Sequence, residues 1–167
     1  MRLVLARIDD RLIHGQVTVG WGQKLRPDHI VLVSEEVAAD PWQSTVYASA
    51  VPPGMRVAIL GVADAAAHLA GDGGPLARAK RVILLTGSPD DMLALVVRGV
   101  DLRRINVGGM HHGAGKRELV PSVYVGPGDL AVFRDLLRRG ISVTVQAVPG
   151  AREIALDDSH LDAAERR

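Results

Sequence analysis

The chain has 167 residues, enough for one hydrophobic core, and 47% of them are hydrophobic, as in an ordinary soluble domain. Its 20 Lys and Arg residues nearly balance 19 Asp and Glu residues, and aromatic residues make up only 3%, which argues against nucleic-acid binding. The lack of cysteine excludes disulfide bonds, thiolate metal sites and cysteine nucleophiles.

Short apolar runs rich in β-branched residues recur along the chain and predict strands buried on both faces of a parallel sheet. In chain order, these runs are residues 3–6, 30–33, 57–60, 82–85, 105–107 and 143–146. Helix-like segments separate them, at residues 15–25, 41–50, 63–69, 89–98 and 127–139. The alternation predicts an α/β fold, an open, doubly wound and mostly parallel sheet of about six or seven strands with helices on both faces.

Local signals mark the ends of several predicted elements. Ser88 followed by Pro89 is typical of a helix start, since serine caps free amides and proline fits the first turn. Gly99 and Gly140 follow predicted helices, as expected of C-terminal caps. Residues 120–125 are predicted to form a further strand, which could run antiparallel to the others.

One domain is expected over residues 1–167, with residues 161–167 as a frayed C-terminal tail. No apolar run reaches the ~18 residues of a membrane helix, and no signal-peptide pattern opens the chain, so we expect a cytoplasmic protein. Trp21 and Trp42 are predicted to pack helices onto the sheet, and an interface anchor is the alternative for a tryptophan that is exposed. The glycine-rich run 71–74 follows no strand, which disfavours a nucleotide-binding phosphate loop.

Three loops rich in glycine or polar residues follow predicted strands, at residues 8–15, 86–88 and 108–116. Ligands of open α/β sheets bind outside the carboxyl ends of the strands. The three loops therefore predict a ligand crevice at one edge of the sheet.

The first of these loops carries His14 among two arginines and two aspartates. A neutral imidazole can attack phosphorus, a carboxylate can fix its tautomer, and guanidinium groups can hold phosphate oxygens. The amides of Gly15 and Gln16, at the start of the next helix, would add donors for an anion. This chemistry needs no metal and no cofactor. From the residues alone, a surface ion-pair cluster without catalytic role remains the alternative.

The other two loops offer further candidates for phosphate binding. The hydroxyls of Thr86 and Ser88 can donate to phosphate, although a helix cap is the stronger interpretation of Ser88. Gly108 and Gly109 would let backbone amides approach the anion, with a tight turn as the alternative role of these glycines. Metal binding is not favoured at residues 111–112, a histidine pair, because neighbouring side chains in an extended loop point apart and no third ligand is suitably spaced. The pair would line the crevice or face a partner.

The first loop also carries a resemblance to a known family. Residues 7–17, RIDDRLIHGQV, resemble the signature of the enzyme IIB components of the mannose/fructose/sorbose family of the bacterial sugar phosphotransferase system. Residues 105–110, INVGGM, are similar to a later loop motif of that family. Further similar stretches are residues 35–38, 40–41 and 51–54, and the likeness runs from residue 1 to about residue 150.

The resemblance implies a cytoplasmic phosphocarrier that associates with the inner face of the membrane. His14 would accept a phosphoryl group at Nδ1 from the phosphohistidine of a IIA protein and pass it to a sugar presented by the membrane subunits IIC and IID. Asp9 would orient the imidazole, while Arg11 and Arg7 would contact phosphate. For Arg7, an ion pair with Asp9 or Asp10 is an equal alternative, and Asp10 is expected to partner either arginine.

Two other functions fit the same residues. A regulatory module would keep the fold and report its phosphorylation state without moving sugar. A small α/β enzyme would use His14 as general base on a phosphorylated metabolite, which the specific loop match disfavours. The sequence leaves open the sugar, the IIA partner and a homo-oligomeric state.

Overall fold

The computed structural model describes residues 1–71 and 74–166, so residues 72 and 73 of the glycine-rich run and residue 167 of the predicted tail lie outside the described residues. The strands are β1 Arg2–Asp9, β2 His29–Val33, β3 Arg56–Leu60, β4 Arg81–Thr86, β5 Arg104–Gly109, β6 Arg117–Val120, β7 Val123–Val125, β8 Ser142–Val145 and β9 Ile154–Ala155. The α-helices are α1 Gly22–Leu25, α2 Glu35–Ala39, α3 Pro41–Ser49, α4 Val62–Ala70, α5 Pro89–Val97, α6 Pro127–Arg138 and α7 Asp158–Glu165. A π-helix, Gln16–Trp21, runs directly into α1.

The main sheet has seven strands in the order β3-β2-β4-β1-β5-β8-β9. Neighbouring strands are parallel except at the edge, where β9 runs antiparallel to β8. β1 lies between β4 and β5, so the sheet grows in opposite directions on its two sides. This is the switch point where loops at the carboxyl ends diverge and leave a crevice. The predicted fold class is confirmed.

Both faces of the sheet are covered, which explains the continuous apolar runs. All five residues of β2 are buried. Val31 and Val33 belong to the larger core, with α4, α5 and α6, while Ile30 and Leu32 pack with Trp21 of the π-helix on the opposite face. Each buried aliphatic side chain contributes about 1.5–3 kcal/mol relative to exposure.

The helices begin and end close to the predicted positions. Ser88 caps α5, its Oγ accepting a hydrogen bond from the backbone N of Asp91, and Asp40 caps α3 in the same way. Gly99 and Gly140 take φ angles of +92° and +76°, which favour glycine after a helix end. Over residues 1–71 and 74–166, none of the helices is both long and apolar enough to cross a membrane.

Residues 120–125 differ from the prediction of one further strand. A turn interrupts them, with Ser122 at a φ of +71°, and β6 and β7 on either side form an antiparallel hairpin. This hairpin is a separate two-stranded sheet, attached to the end of β5 by hydrogen bonds from Met110 N to Ser122 O and from Tyr124 N to Met110 O.

The C-terminal segment is a docked helix and not the frayed tail expected from residue 161 onwards. Leu161 of α7 is fully buried. Arg134 of α6 reaches three α7 carboxylates, those of Asp158, Asp162 and Glu165. Arg117 of β6 donates to the carbonyls of Ala164 and Glu165. Carbonyls in the last turn of a helix have no amide partner within the helix, so Arg117 satisfies them.

The two tryptophans have different environments. Trp21 is buried against the sheet, as predicted. Trp42 is 73% exposed, because α3 buries none of its side chains, so the prediction that it packs onto the sheet is wrong.

Candidate active site

The loop between β1 and the π-helix makes a tight turn that brings His14 back over the end of β1. Leu12 adopts φ +57°, a left-handed conformation that is strained for a leucine. Its backbone N donates to the carbonyl of Asp9 at 2.9 Å. The carbonyl of His14 accepts from the amides of Val17 and Thr18, so the histidine begins the helical segment.

Asp9 is the centre of the cluster and is fully buried. Its Oδ1 accepts from Arg11 Nε at 3.1 Å and from the Arg11 backbone N at 3.2 Å. Its Oδ2 accepts from Arg7 Nη2 at 2.8 Å and from Arg11 Nη2 at 3.1 Å. Two guanidinium groups therefore compensate one buried carboxylate, which would be costly without them.

His14 lies beside this carboxylate with its side chain 21% exposed. Its Nδ1 is 2.8 Å from the carbonyl oxygen of Leu12, and because a carbonyl only accepts, Nδ1 carries the hydrogen in this contact. Its Nε2 is 3.8 Å from Asp9 Oδ2, and no described residue is hydrogen-bonded to it. The ring is thus fixed between a backbone carbonyl and the Asp9 carboxylate.

Arg7 is fully buried, and its guanidinium is occupied by protein groups. It donates to Asn106 Oδ1, to the carbonyls of Gln146 and Ala147 at 3.1 and 2.9 Å, and to Asp9. Burial lowers the pKa of this guanidinium, while the Asp9 charge opposes the shift. A direct phosphate contact, predicted for Arg7, does not fit these contacts, whereas the alternative ion pair with Asp9 is present.

Gly108 accommodates this arginine. A Cβ at Gly108 would overlap the Arg7 guanidinium, so only glycine leaves the space that the side chain fills. The structure therefore explains Gly108 by packing against Arg7, and a phosphate contact is not needed to account for it.

Arg11 differs from Arg7 because its side chain is 34% exposed. Besides Asp9, it donates through Nη2 to Gln16 Oε1 at 2.7 Å. A Cβ at Gly109 would lie 3.5 Å from the same Nη2, so the backbone of β5 passes close to the guanidinium. Gly15 has open space around it. Arg11 and His14 thus share Asp9 as a neighbour, while Gln16 and the Gly109 backbone lie beside the Arg11 guanidinium.

Thr86 and Ser88 do not offer free hydroxyls to this crevice. Thr86 is fully buried, and its Oγ1 donates to the carbonyl of Ser88 at 2.9 Å. Ser88 Oγ accepts from the backbone N of Asp91 at 3.2 Å and donates to the Asp91 carboxylate at 3.0 Å. The helix-cap interpretation therefore accounts for Ser88, and burial with a bond to the Ser88 carbonyl accounts for Thr86, so phosphate binding by these two hydroxyls does not fit.

Asp10 has a partner that the sequence did not suggest. Its Oδ2 accepts from the His111 backbone N and its Oδ1 lies against His111 Nδ1, both at 2.6 Å, so the expected pairing with Arg7 or Arg11 is wrong. The contact joins the β1 loop to the β5 loop. His112 stands edge-on to Tyr124, with ring centroids 5.3 Å apart. No group of three metal-binding side chains occurs among residues 1–71 and 74–166.

Sequence reasoning missed the residues that hold Arg7. Asn106 is the one polar residue in the predicted strand 105–107. A polar side chain in an otherwise apolar strand was the sequence signal that could have indicated a buried polar partner. Trp21 places its ring 5.7 Å from the Arg7 guanidinium carbon, a cation–π distance. The carbonyls of Gln146 and Ala147 carry no side-chain signal at all, because any residue supplies them.

Comparison with known proteins places this chain in a family. Residues 3–166 match the family model described as PTS system sorbose subfamily IIB component. A sorbose-specific EIIB component from Lacticaseibacillus casei is 37% identical over 148 residues, which cover 89% of this chain and 88% of that protein. An N-acetylgalactosamine-specific phosphotransferase enzyme IIB component from Escherichia coli is 38% identical over 150 residues, which cover 88% of this chain and 91% of that protein.

Solved structures agree with the sequence matches. The IIBSor domain of the sorbose permease from Klebsiella pneumoniae superposes with a TM-score of 0.87 at 32% identity, over 98% of each chain. An N-acetylgalactosamine-specific IIB component from Escherichia coli gives a TM-score of 0.81 at 31% identity, over 93% of this chain and 100% of that one. The chain therefore belongs to the sorbose subfamily of the IIB components of the sugar phosphotransferase system, a family of phosphotransferases that act in sugar uptake.

Proposed function

We propose that this chain is a phosphocarrier that accepts a phosphoryl group on His14 from the phosphohistidine of a IIA protein and passes it to a sugar. The observation that carries the proposal is the buried Asp9 carboxylate, which is bonded to Arg7 and Arg11 and lies 3.8 Å from the His14 imidazole. This arrangement combines a nucleophile, a group that orients it and a cation for phosphate oxygens.

We assign the transfer to Nδ1 of His14. In the structure Nδ1 donates to the Leu12 carbonyl, so its lone pair becomes available only after that contact opens and the ring hydrogen resides on Nε2. Asp9 Oδ2, 3.8 Å from Nε2, is placed to accept that hydrogen bond after a small shift of the ring. The bond from phosphorus to the donor nitrogen then breaks as the bond to Nδ1 forms.

Arg11 is the proposed cation for the transferred group. About a third of its side chain is exposed, whereas Arg7 is fully buried behind Asp9 and acts as a positioning residue. The amides of Gly15, Gln16 and Gly109 are proposed as further donors to the phosphoryl oxygens. Binding must stay moderate, because the group has to leave again for the sugar hydroxyl, which attacks phosphorus as the Nδ1–P bond breaks.

The partners of this proposal are a phosphorylated IIA protein as donor and the membrane subunits IIC and IID, which present the sugar. The chain would work in the cytoplasm, at the inner face of the membrane. His14 lies at the carboxyl edge of the sheet with part of its ring exposed, a position that two partners can approach in turn.

Phosphorylation by a radiolabelled phospho-IIA protein tests the proposal. Wild type is expected to take up acid-labile label, and His14→Ala is expected to take up none, because the nucleophile is gone. His160→Ala is the matched control, since His160 also lies beside an aspartate, Asp157, but is on α7. Phosphorus NMR of the labelled protein should show an Nδ1 phosphohistidine.

Two outcomes would contradict the proposed phosphocarrier function. Labelling of His14→Ala at the wild-type level would exclude His14 as the acceptor. A phosphorylated protein that never forms sugar phosphate with its IIC and IID subunits would support the regulatory alternative in place of transport.

A further inference from the structure

A cavity lies beside the proposed phosphoryl site, on the side of Arg11 where the β5 loop and the β6–β7 hairpin meet. Its volume is about 330 Å³, and its polar lining comprises Arg11, Gln16, His111, His112, Ser122 and Tyr124. None of its lining residues is an aspartate or a glutamate. A guanidinium on a wall that has no carboxylate favours an anionic ligand, and the two imidazoles add ring nitrogens for hydrogen bonds.

His111 is oriented for such a ligand by its contact with Asp10. The carboxylate only accepts, so the 2.6 Å contact places the hydrogen on His111 Nδ1 and turns Nε2 to the opposite side of the ring. The His111 side chain is 65% exposed, and in the imidazolium form its Nε2–H is a donor on the side of the ring away from Asp10. The backbone contact of His111 with the same carboxylate fixes the loop as well as the ring.

The remaining lining groups suit a hydroxylated ligand. Gln16 uses its Oε1 to accept from Arg11, so its amide NH2 remains as a donor. Tyr124 lies edge-on to His112, and its phenol can both donate and accept. The volume of about 330 Å³ is within the range of small-molecule sites and exceeds the space that a single phosphate group fills.

We infer that this cavity binds a phosphate monoester of a sugar, with the phosphate between Arg11 and His111 and the hydroxyl groups towards His112 and Tyr124. The inference rests on the proposed function, because a sugar phosphate is the product of that transfer. A bound product would occupy Arg11, which the incoming phosphoryl group requires. The cavity would therefore make the carrier sensitive to the concentration of its own product.

Calorimetric titration of the unphosphorylated chain tests the inference with three probes, mannose 6-phosphate, inorganic phosphate and mannose. We expect mannose 6-phosphate to bind at least tenfold more tightly than inorganic phosphate, and mannose to show no binding. The double variant His111→Ala/His112→Ala should weaken mannose 6-phosphate binding at least tenfold. His160→Ala, which removes another histidine paired with an aspartate, should leave it unchanged.

Equal dissociation constants for mannose 6-phosphate and inorganic phosphate would overturn the assignment to a monoester, and an unaffected double variant would overturn the site. Should the double variant fail to fold, His111→Asn, which keeps a donor for Asp10, must show the weakened binding instead. His14→Ala separates the two proposals, because His14 does not line the cavity and this variant should lose phosphotransfer while still binding mannose 6-phosphate.

Discussion

Arg7 and Arg11 both belong to the loop signature, but the structure gives their side chains different environments. Both bond to Asp9, but Arg7 has no exposed surface while Arg11 keeps about a third of its side chain exposed. The buried arginine holds the carboxylate, and the exposed one is free to meet an incoming anion. The difference arises because Arg7 lies within β1, flanked by strands, and Arg11 lies in the loop beyond it.

Removing the buried cation should be far more damaging than removing an exposed one. Arg7→Ala is expected to lower the free energy of unfolding by about 3–5 kcal/mol, because Asp9 stays buried with half of its compensation gone. Arg103→Ala breaks an ion pair with Asp101 whose side chains are 87% and 75% exposed, and should cost no more than about 1 kcal/mol. Urea denaturation of both variants measures the contrast, and equal losses would refute it.

At the scale of elements, α7 shows how a charged C-terminal segment becomes a docked helix. Asp157 caps it, with its carboxylate accepting from the backbone N of His160. Hydrogen bonds from Ser159 and then from His160 lower the pKa of Asp157 to about 2. Ion pairs with Arg134 add a connection from α7 to α6.

The Asp157 cap predicts an acid-sensitive helix. Since the pKa of Asp157 is lower in the folded chain than its ordinary value of 3.8, its stabilisation is present above that value and is lost as the pH falls through about 2. Protection of the α7 amides from hydrogen exchange should fall over this interval in the wild type. Asp157→Asn keeps a capping oxygen but does not titrate, so its protection should depend less on pH over the same range.

An equal pH dependence in Asp157→Asn and the wild type would contradict this role for Asp157. The ion pairs of α7 with Arg134 are common to both proteins, so they do not contribute to the difference between them.

At the scale of the whole molecule, one sheet supports two apolar layers. Phe133 of α6 is fully buried in the larger core, whereas Trp21 lies in the smaller core on the opposite face. We propose that the chain unfolds as a single domain, because every strand of the main sheet from β1 to β4 contributes side chains to both layers.

Phe133→Ala tests this proposal in a Trp42→Ala background, where Trp21 is the only tryptophan left of two. The substitution is expected to lower the free energy of unfolding by about 3–5 kcal/mol, since it leaves a cavity in the core. Trp21 fluorescence and far-ultraviolet circular dichroism should report one shared transition. Trp42→Ala alone, at a 73% exposed position, should change stability by no more than about 0.5 kcal/mol. Separate transitions would contradict a single domain.

The fold and the first loop could be predicted because their signals are local. An apolar run such as residues 30–33 indicates burial on both faces of a sheet, and Ser88 with Pro89 indicates a helix start. Each of these signals is contained within a few neighbouring residues. The β6–β7 hairpin was missed because its turn at Ser122 lies inside a run that reads as a single strand. Burial of α7 was missed because the charges of that segment look like a solvated tail until Arg134 is seen beside them.

The sequence by itself determined the alternation of most strands and helices, the family signature around His14 and the presence of anion-binding residue types near one sheet edge. Only the tertiary structure decided which of those residues remain open to a ligand. Arg7 is hydrogen-bonded to Asn106, which lies 99 positions away, and Asp10 is bonded to His111, which lies 101 positions away. Such pairings depend on which strands become neighbours and at what register, and no local pattern of the chain encodes that distance.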